Sequence, residues 1–511
     1  MPRVRHVLFL ALVPIVACGR GRAAAPARSP AARTVPAASR GAAPALAVPA
    51  ASAGCTPLRV DSASLGATAD TYTWSDASCA PRTATLLRND TMDPFGGAGG
   101  YLRSYTYRVG ARTRTCVGTG AGGWNGFGYV VSHFDRSAVH TQKTTGTHAI
   151  VLAGRHHAIH EFRWRISPGG PVDVTAHWFF ATSRDHPVFA ITWDTTAAGK
   201  DAVRADARAP YGDLAWDGVN GPVDGVAWGD GKRFTTKGPG PLRPDSAWDY
   251  AEDNTIPFVT TWSDAADAEM GLVQTEAWAT ALAGGDYGGG MLMQLWGKSG
   301  TKLLAEVTDW LWPYQANQWE LPESTTSHRL AWGSTYGAVG QSKVVTFGRE
   351  RSGWPFFSYS VFVVLGSHSA GTVDRQVAEL AAVQRATLVA TRGVVEARGP
   401  AGVRRTDLAA RTPPGWDPTY AAWRARAERG GVTLVFSAPT APIRHALLAI
   451  DGWEDGDPRV TLDGAALVPD RQFFATVDRP RKTLWLTLAV ELTGTATLAV
   501  DGRTGGAAFL E

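Results

Sequence analysis

From about residue 55 to residue 365, apolar and polar positions alternate with a period of two in short segments, and Gly, Pro, Asp and Asn separate them. Among these segments are YLRSYTYRV, AIHEFRWRI, VDVTAHWFFAT, PVFAITWD, FVTTW, GLVQTEAWAT, MLMQLWG, HRLAWGSTYG and YSVFVVLG. Successive side chains of a strand point to opposite faces, so the alternation predicts half-buried antiparallel strands. A helical period runs from Val373 to Leu388 alone. Beyond it, AAWRARAERGGVTLVFSA reads as a hairpin turning at Arg429-Gly430-Gly431. VTLDGAALV, RQFFATVD, KTLWLTLAVEL and ATLAVDG read as further strands, with Asp-Gly pairs at tight turns. The expected fold is all-β. A large antiparallel β-sandwich over 55–370 is followed by a connecting helix within 371–392 and a smaller C-terminal β-sandwich over 393–511.

The first eighteen residues break this pattern. Arg3 and Arg5 precede an apolar run from Val7 to Ala17, and Cys18 follows. The run is shorter than the roughly 20 residues that span a bilayer, which makes it an export signal. Ile15-Val16-Ala17-Cys18 resembles the lipobox of bacterial lipoproteins. That resemblance implies acylation of Cys18 and a membrane anchor at the cell envelope; cleavage and plain secretion is the alternative. Residues 19–54 are almost entirely Gly, Arg, Ala, Pro, Ser, Val and Thr. Such a stretch buries too little apolar surface to offset its ordering entropy, so a disordered tether is expected.

Charge changes the picture by exclusion. The chain carries +4, but residues 1–54 hold seven arginines and no acid, which leaves the remainder at −3. A slightly acidic body without a Lys/Arg block lacks the footprint of a nucleic-acid partner. Of the cysteines after Cys18, Cys55 and Cys79 bracket the strand-like TADTYTW and are the favoured disulfide, although Cys116 with either is an alternative. No CxxC occurs, and neither a phosphate loop, a GxSxG elbow nor a dinucleotide fingerprint is complete.

Eight of the 12 histidines fall between His133 and His186. In RHHAIHEFRWRI, His160, Phe162 and Trp164 share one strand face, and His157, Glu161, Arg163 and Arg165 the other. The next strand groups Asp173, Thr175 and His177. Two adjacent strands thus present His, Arg, Glu and Asp on one polar face suited to proton transfer. His156 and His160 lie about 13 Å apart on a strand, too far for one ion, so no transition metal and no cofactor is expected. A structural calcium at Asp213, Asp217 or Asp224 stays open. Of the 20 tryptophans, 15 lie between Trp124 and Trp354. Most are read as core. Trp216, Trp248, Trp312 and Trp319, with Tyr250, sit in polar, loop-like surroundings and are candidate sugar platforms.

With these features in place, the organisation resembles the galactose-mutarotase-like supersandwich, over about residues 80–365. SRDHPVFAITWD is similar to the His-Pro that follows a sheet strand in mutarotases. The resemblance implies a polysaccharide or oligosaccharide partner, and mutarotase, lyase or hydrolase chemistry. The candidate catalytic residues are His160 and His177, His186 beside Asp185 at the start of the next strand, Arg208, Tyr211 and Asp213 in a turn-rich loop running to Asp217, and Glu276. Lyase chemistry would use His or Tyr as base and donor, and Arg208 to neutralise a uronate. Hydrolysis would use a carboxylate pair such as Glu276 with Asp213. Mutarotation would pair His177 with Glu269 or Glu276. A non-catalytic glycan-binding or structural envelope lipoprotein is the alternative.

Overall fold

The computed structural model describes residues 54–118, 125–134, 137–216, 225–230, 234–237, 256–278, 291–296, 302–305, 314–320, 328–340, 344–346, 349–351, 354–396, 410–454 and 456–502. Cys18, the tether through residue 53, Asp217, Asp224, Trp248, Tyr250 and Trp312 lie outside these residues. Residues 52–511 belong to one compact unit. Among the described residues, no helix is long and apolar enough to cross a membrane.

The all-β expectation holds. A 12-stranded sheet begins as an antiparallel run through Arg59–Asp61, Ala69–Ser75, Pro81–Leu87, Tyr101–Val109 and Arg112–Val117, and continues through Ala205–Trp216 and His328–Val339. A 9-stranded sheet contains Thr147–Ala153, His157–Ile166, Val172–Ala181, Val188–Asp194, Phe356–Gly366 and Ala268–Gln274 as consecutive or near neighbours. The inward positions of both sheets make one core. Tyr72, Trp74 and Tyr105 of the first sheet join Phe162, Trp164, Trp178 and Trp193 of the second. Eight tryptophans are among the largest fully buried side chains, because indole fills the broad space between large twisted sheets.

The helix Thr372–Arg385 follows. Val373, Val377, Leu380 and Val383 recur at helical spacing and are buried together in the second core. Its Gly371 start lacks a capping side chain, and Glu269 supplies the acceptor instead, taking the Val373 N–H at 2.8 Å. The expected helix runs past this end. Thr387–Arg392 is already a strand of the C-terminal sandwich, paired with Gly431–Ile443. The hairpin expected at Arg429-Gly430-Gly431 is also corrected. Ala422–Arg426 joins the 6-stranded sheet and Gly431–Ile443 the 5-stranded one, so this turn carries the chain from sheet to sheet. Arg429 and Gly430 both have positive φ, at 49° and 72°, which bends the chain out of the plane a hairpin would keep.

Cys55 and Cys79 form the disulfide, across a separation of 24 residues, and Cys116 is buried in the large core. Closing a loop of that length restricts the unfolded chain by about 3 kcal/mol. Cys55→Ser with Cys79→Ser is therefore expected to lower unfolding free energy by about that amount in urea titration.

Candidate functional site

The sequence-predicted polar face exists, as a ladder of pairs. In register, His177 lies opposite Glu161, Thr175 opposite Arg163 and Asp173 opposite Arg165. Arg165 pairs with Asp173 at 3.0 Å and Arg163 with Glu161 at 2.8 Å. His177 Nε2 donates to Glu161 at 3.0 Å, and its Nδ1 accepts the Tyr420 hydroxyl at 2.5 Å. Tyr420 belongs to the C-terminal sandwich and covers this end of the ladder. Burial holds His177 below its usual pKa. Burial pushes Glu161 upward, but hydrogen bonds from His177 and Arg163 outweigh it and hold the carboxyl at about 2. The carboxylate paired with His177 is thus Glu161; of the expected partners, Glu269 accepts from the Val373 N–H at the helix start and Glu276 is buried.

Several other expectations shift. The segment from Arg208 to Trp216 is no loop; it lies in the long strand Ala205–Trp216, flanked by His328–Val339 and Phe127–Phe134. Tyr211 packs with Tyr101 and Tyr129, and Asp213 is fully buried. Trp216, expected as an exposed platform, is 1 % exposed within the large core. A central strand covered on both faces removes these side chains from solvent. Trp319 lies on Tyr314–Glu320, its side chain outside the described residues. His160 faces the core between the sheets, where its Nδ1 and the Tyr72 hydroxyl are 2.8 Å apart.

His186 lies in a cavity. About 170 Å³ opens where the turn before Val188–Asp194, the helix and the C-terminal sandwich meet. Arg184, Asp185 and His186 come from the turn, Arg375 and Glu379 from the helix, and Arg444 and His445 from the C-terminal sandwich. Each element brings its side chains to the cavity through its own local geometry. Arg375 and Glu379 are one helical turn apart, opposite the apolar stripe. The turn is fixed by Trp74 Nε1 donating to the Arg184 carbonyl at 2.9 Å, and by the Ala77 N–H donating to Asp185 Oδ1 at 3.0 Å. Arg184 donates to the Ala421 carbonyl at 2.8 Å and lies 5.1 Å over the Phe362 ring. Ser183, Ala421 and His445 all have left-handed backbones, with φ of 69°, 52° and 45°. Ser183 Oγ and His445 Nδ1 lie 3.0 Å apart. Such conformations disfavour non-glycine residues by ~1–3 kcal/mol each and gather at ligand sites.

The cavity separates its acids. Burial and the neighbouring Asp185 carboxylate push Glu379 up to about 7. Burial would raise Asp185 as well, but Arg82 and His186 outweigh it and hold that carboxyl below its usual range. Burial, then the Arg82 charge, pushes His186 down to about 3, and burial lowers His445. At neutral pH the cavity thus holds a carboxyl near half-protonation, an ionised carboxylate, neutral imidazoles and three guanidinium groups, of which Arg444 pairs with Glu491 at 2.8 Å. Sequence reasoning reached His186 and Asp185 as the start of the strand that follows the polar face. It missed Arg375 and Glu379, because an i, i+4 charge pair on a polar helix face reads as solvated surface, and Arg444 and His445, because nothing local distinguishes them from a turn.

No family model matches this chain. No curated protein matches it. Among solved structures it is similar to an α-mannosidase from Enterococcus faecalis V583, at a TM-score of 0.31 and 8 % identity over 82 % of this chain. The chain spans 41 % of that enzyme's length. A likeness at that level carries no argument about activity.

Proposed function

We propose that the protein takes an acidic sugar unit of a poly- or oligosaccharide into the Arg184–Glu379–Arg444 cavity and carries out acid–base chemistry on it at the cell envelope. The observation that carries this reading is the cavity's composition: three guanidinium groups beside a carboxyl and a carboxylate with opposed pKa shifts. Guanidinium forks match carboxylates, as on a uronate, in planar two-point geometry. Groups whose environments drive their pKa values apart supply donor and acceptor together. Glu379 donates a proton to a leaving oxygen, Asp185 or a neutral histidine accepts one, and an arginine neutralises the sugar carboxylate. The lipobox-like Ile15–Cys18 and the Cys55–Cys79 disulfide, which suits an oxidising compartment, support an envelope location.

The test is a panel of acidic and neutral polysaccharides, read by absorbance in the unsaturated-uronate band and by reducing ends. Both signals together mean β-elimination, reducing ends alone mean hydrolysis, and retention on an acidic glycan without either means a binding lipoprotein. Arg375 and Arg444 are exposed enough to be replaced without disturbing a core. Arg375→Ala or Arg444→Ala is expected to weaken acidic-oligosaccharide binding about 10- to 100-fold, the equivalent of one charge-assisted hydrogen bond. Glu379→Gln is expected to keep binding and lower turnover at least ~100-fold. Equal binding of neutral and acidic sugars, unmoved by either arginine variant, removes the proposal.

A further inference from the structure

At a different place in the large sandwich, three side chains from both sheets converge. Asp70 comes from Ala69–Ser75 of the 12-stranded sheet, and His148 and His160 from the adjacent strands Thr147–Ala153 and His157–Ile166 of the 9-stranded one. Their ligand-type atoms all lie within 4.8 Å of one another. Asp70 Oδ2 is 3.9 Å from His160 Nδ1 and 4.0 Å from His148 Nδ1. The side chains of Asp70 and His160 are fully buried, and that of His148 is 17 % exposed. We propose that Asp70, His148 and His160 form a divalent-metal site, with zinc the best-suited ion.

Two observations beyond proximity point to a ligand. His148 Nδ1 and His160 Nε2 are both buried and have no hydrogen-bond partner. A dry polar nitrogen without a partner is costly, and a metal ion relieves that cost directly. The ring separation also fits, and the stacked rings must tilt for their in-plane lone pairs to meet at one ion. The two imidazole centroids are 5.4 Å apart with planes 14° from parallel. Two imidazoles bound to one tetrahedral ion at about 2.0–2.1 Å place their centroids about 5 Å apart. Tyr72 holds Nδ1 of His160, so Nε2 is its donor, and the donor atoms, within 4.8 Å of one another, must close by up to about 1.4 Å, because tetrahedral ligands at that bond length lie about 3.4 Å apart.

The surroundings hold the donors in place. Arg88 grips Asp70 with two bonds, Nε to Oδ2 at 2.9 Å and Nη2 to Oδ1 at 2.8 Å. The Tyr72 hydroxyl is 2.8 Å from His160 Nδ1, and Asp90 is 3.6 Å from His148 Nε2. Such outer partners orient metal ligands. Arg88 also opposes the ion, since it already neutralises Asp70; the metal shares that carboxylate or displaces one arm of the fork. Two imidazoles and one carboxylate make a borderline donor set that suits zinc over calcium or magnesium. The sequence argument against a metal compared His156 with His160 along one strand, and the ligands instead come from three strands.

The test uses tag-free, chelator-stripped full chain. Dialysis against zinc is expected to load one ion per chain and to raise the thermal midpoint. Cobalt(II) is expected to give the visible ligand-field absorption of a tetrahedral site. His148→Ala should weaken zinc uptake at least about tenfold and abolish the cobalt spectrum. His148 sits at the sheet edge, so the metal-free variant should keep the parent's thermal midpoint, which separates lost ligation from lost folding. His368→Ala, a half-buried histidine elsewhere, should leave zinc uptake and the cobalt spectrum unchanged. Failure to load stoichiometric zinc, or loading that survives His148→Ala, overturns the proposal.

Discussion

Lowering the pH from 7.5 to 5.5 is expected to remove folding stability through buried histidines, well above the range where carboxylates titrate. Four buried histidines and the half-buried His445 line the seam between the two sandwiches. His156 bonds Asp470 at 2.7 Å and His157 bonds Thr487 at 2.9 Å; His177 reaches Tyr420, His445 reaches Ser183, and His186 faces the cavity. Burial lowers the pKa of every one, against the pull of Asp470 on His156, Glu161 on His177 and Asp185 on His186 and His445. Below pH 6.5 the unfolded chain therefore binds protons that the folded chain refuses. This stability is complete above about pH 7 and is lost as pH falls from 6.5 toward the folded values. His186, held at about 3, loses about 1.4 kcal/mol by pH 5.5, which is the ceiling for each of the others. Glu379 works in the opposite direction. Its pKa is raised to about 7, so the folded state gains a proton first and recovers about 2 kcal/mol over the same interval. Urea unfolding at pH 7.5, 6.5 and 5.5 measures the sum, and Glu379→Gln should steepen the loss. A flat profile down to pH 5 in Glu379→Gln, where the opposing carboxyl is gone, would show that the seam histidines are charged or hydrated.

The strands of the large sandwich were legible because each buries one face, and period-two alternation records that directly. The ladder pairing Glu161, Arg163 and Arg165 with His177, Thr175 and Asp173 was legible for the same reason. What lay over the ladder was not. Tyr420 reaches His177 from 243 positions away, and no local pattern encodes such a contact. The stretch Arg208–Trp216 was misread because Pro210 and Gly212 resemble loop residues, whereas the strand accommodates them with a register shift between Arg208 and Tyr211. The cavity was half legible. His186 and Asp185 stand in a segment with its own signature, but Glu379, Arg375 and Arg444 acquire their environment only when helix and C-terminal sandwich close over that segment.

Replacing Arg82 is expected to have the largest effect of any single side-chain change behind the cavity. Arg82 is 6 % exposed, on Pro81–Leu87. Its Nε bonds Asp76 Oδ2 at 3.3 Å, and its Nη1 donates to the Tyr105 hydroxyl at 3.3 Å and to the Leu365 carbonyl at 3.2 Å. It thereby ties the 12-stranded sheet to the 9-stranded one, while Tyr105 in turn donates to the Asp185 carbonyl at 3.1 Å. Removing one partner of a buried ion pair leaves the other uncompensated, at about 3–5 kcal/mol. Asp76 Oδ1 keeps its bonds from Ser78 and Ala80, so Arg82→Leu should fall near the lower end of that range. Arg82→Lys keeps the charge but loses the fork, and about 1–2 kcal/mol is expected. The two variants also part in function. Arg82 is the first of the charges holding Asp185 ionised, and ionised Asp185 helps to keep Glu379 protonated near neutrality. Arg82→Leu should therefore move the pH dependence of cavity binding to lower pH, whereas Arg82→Lys should leave it in place. Stability loss in Arg82→Leu without that shift would mean that the guanidinium braces the sheets but does not set the protonation of the cavity.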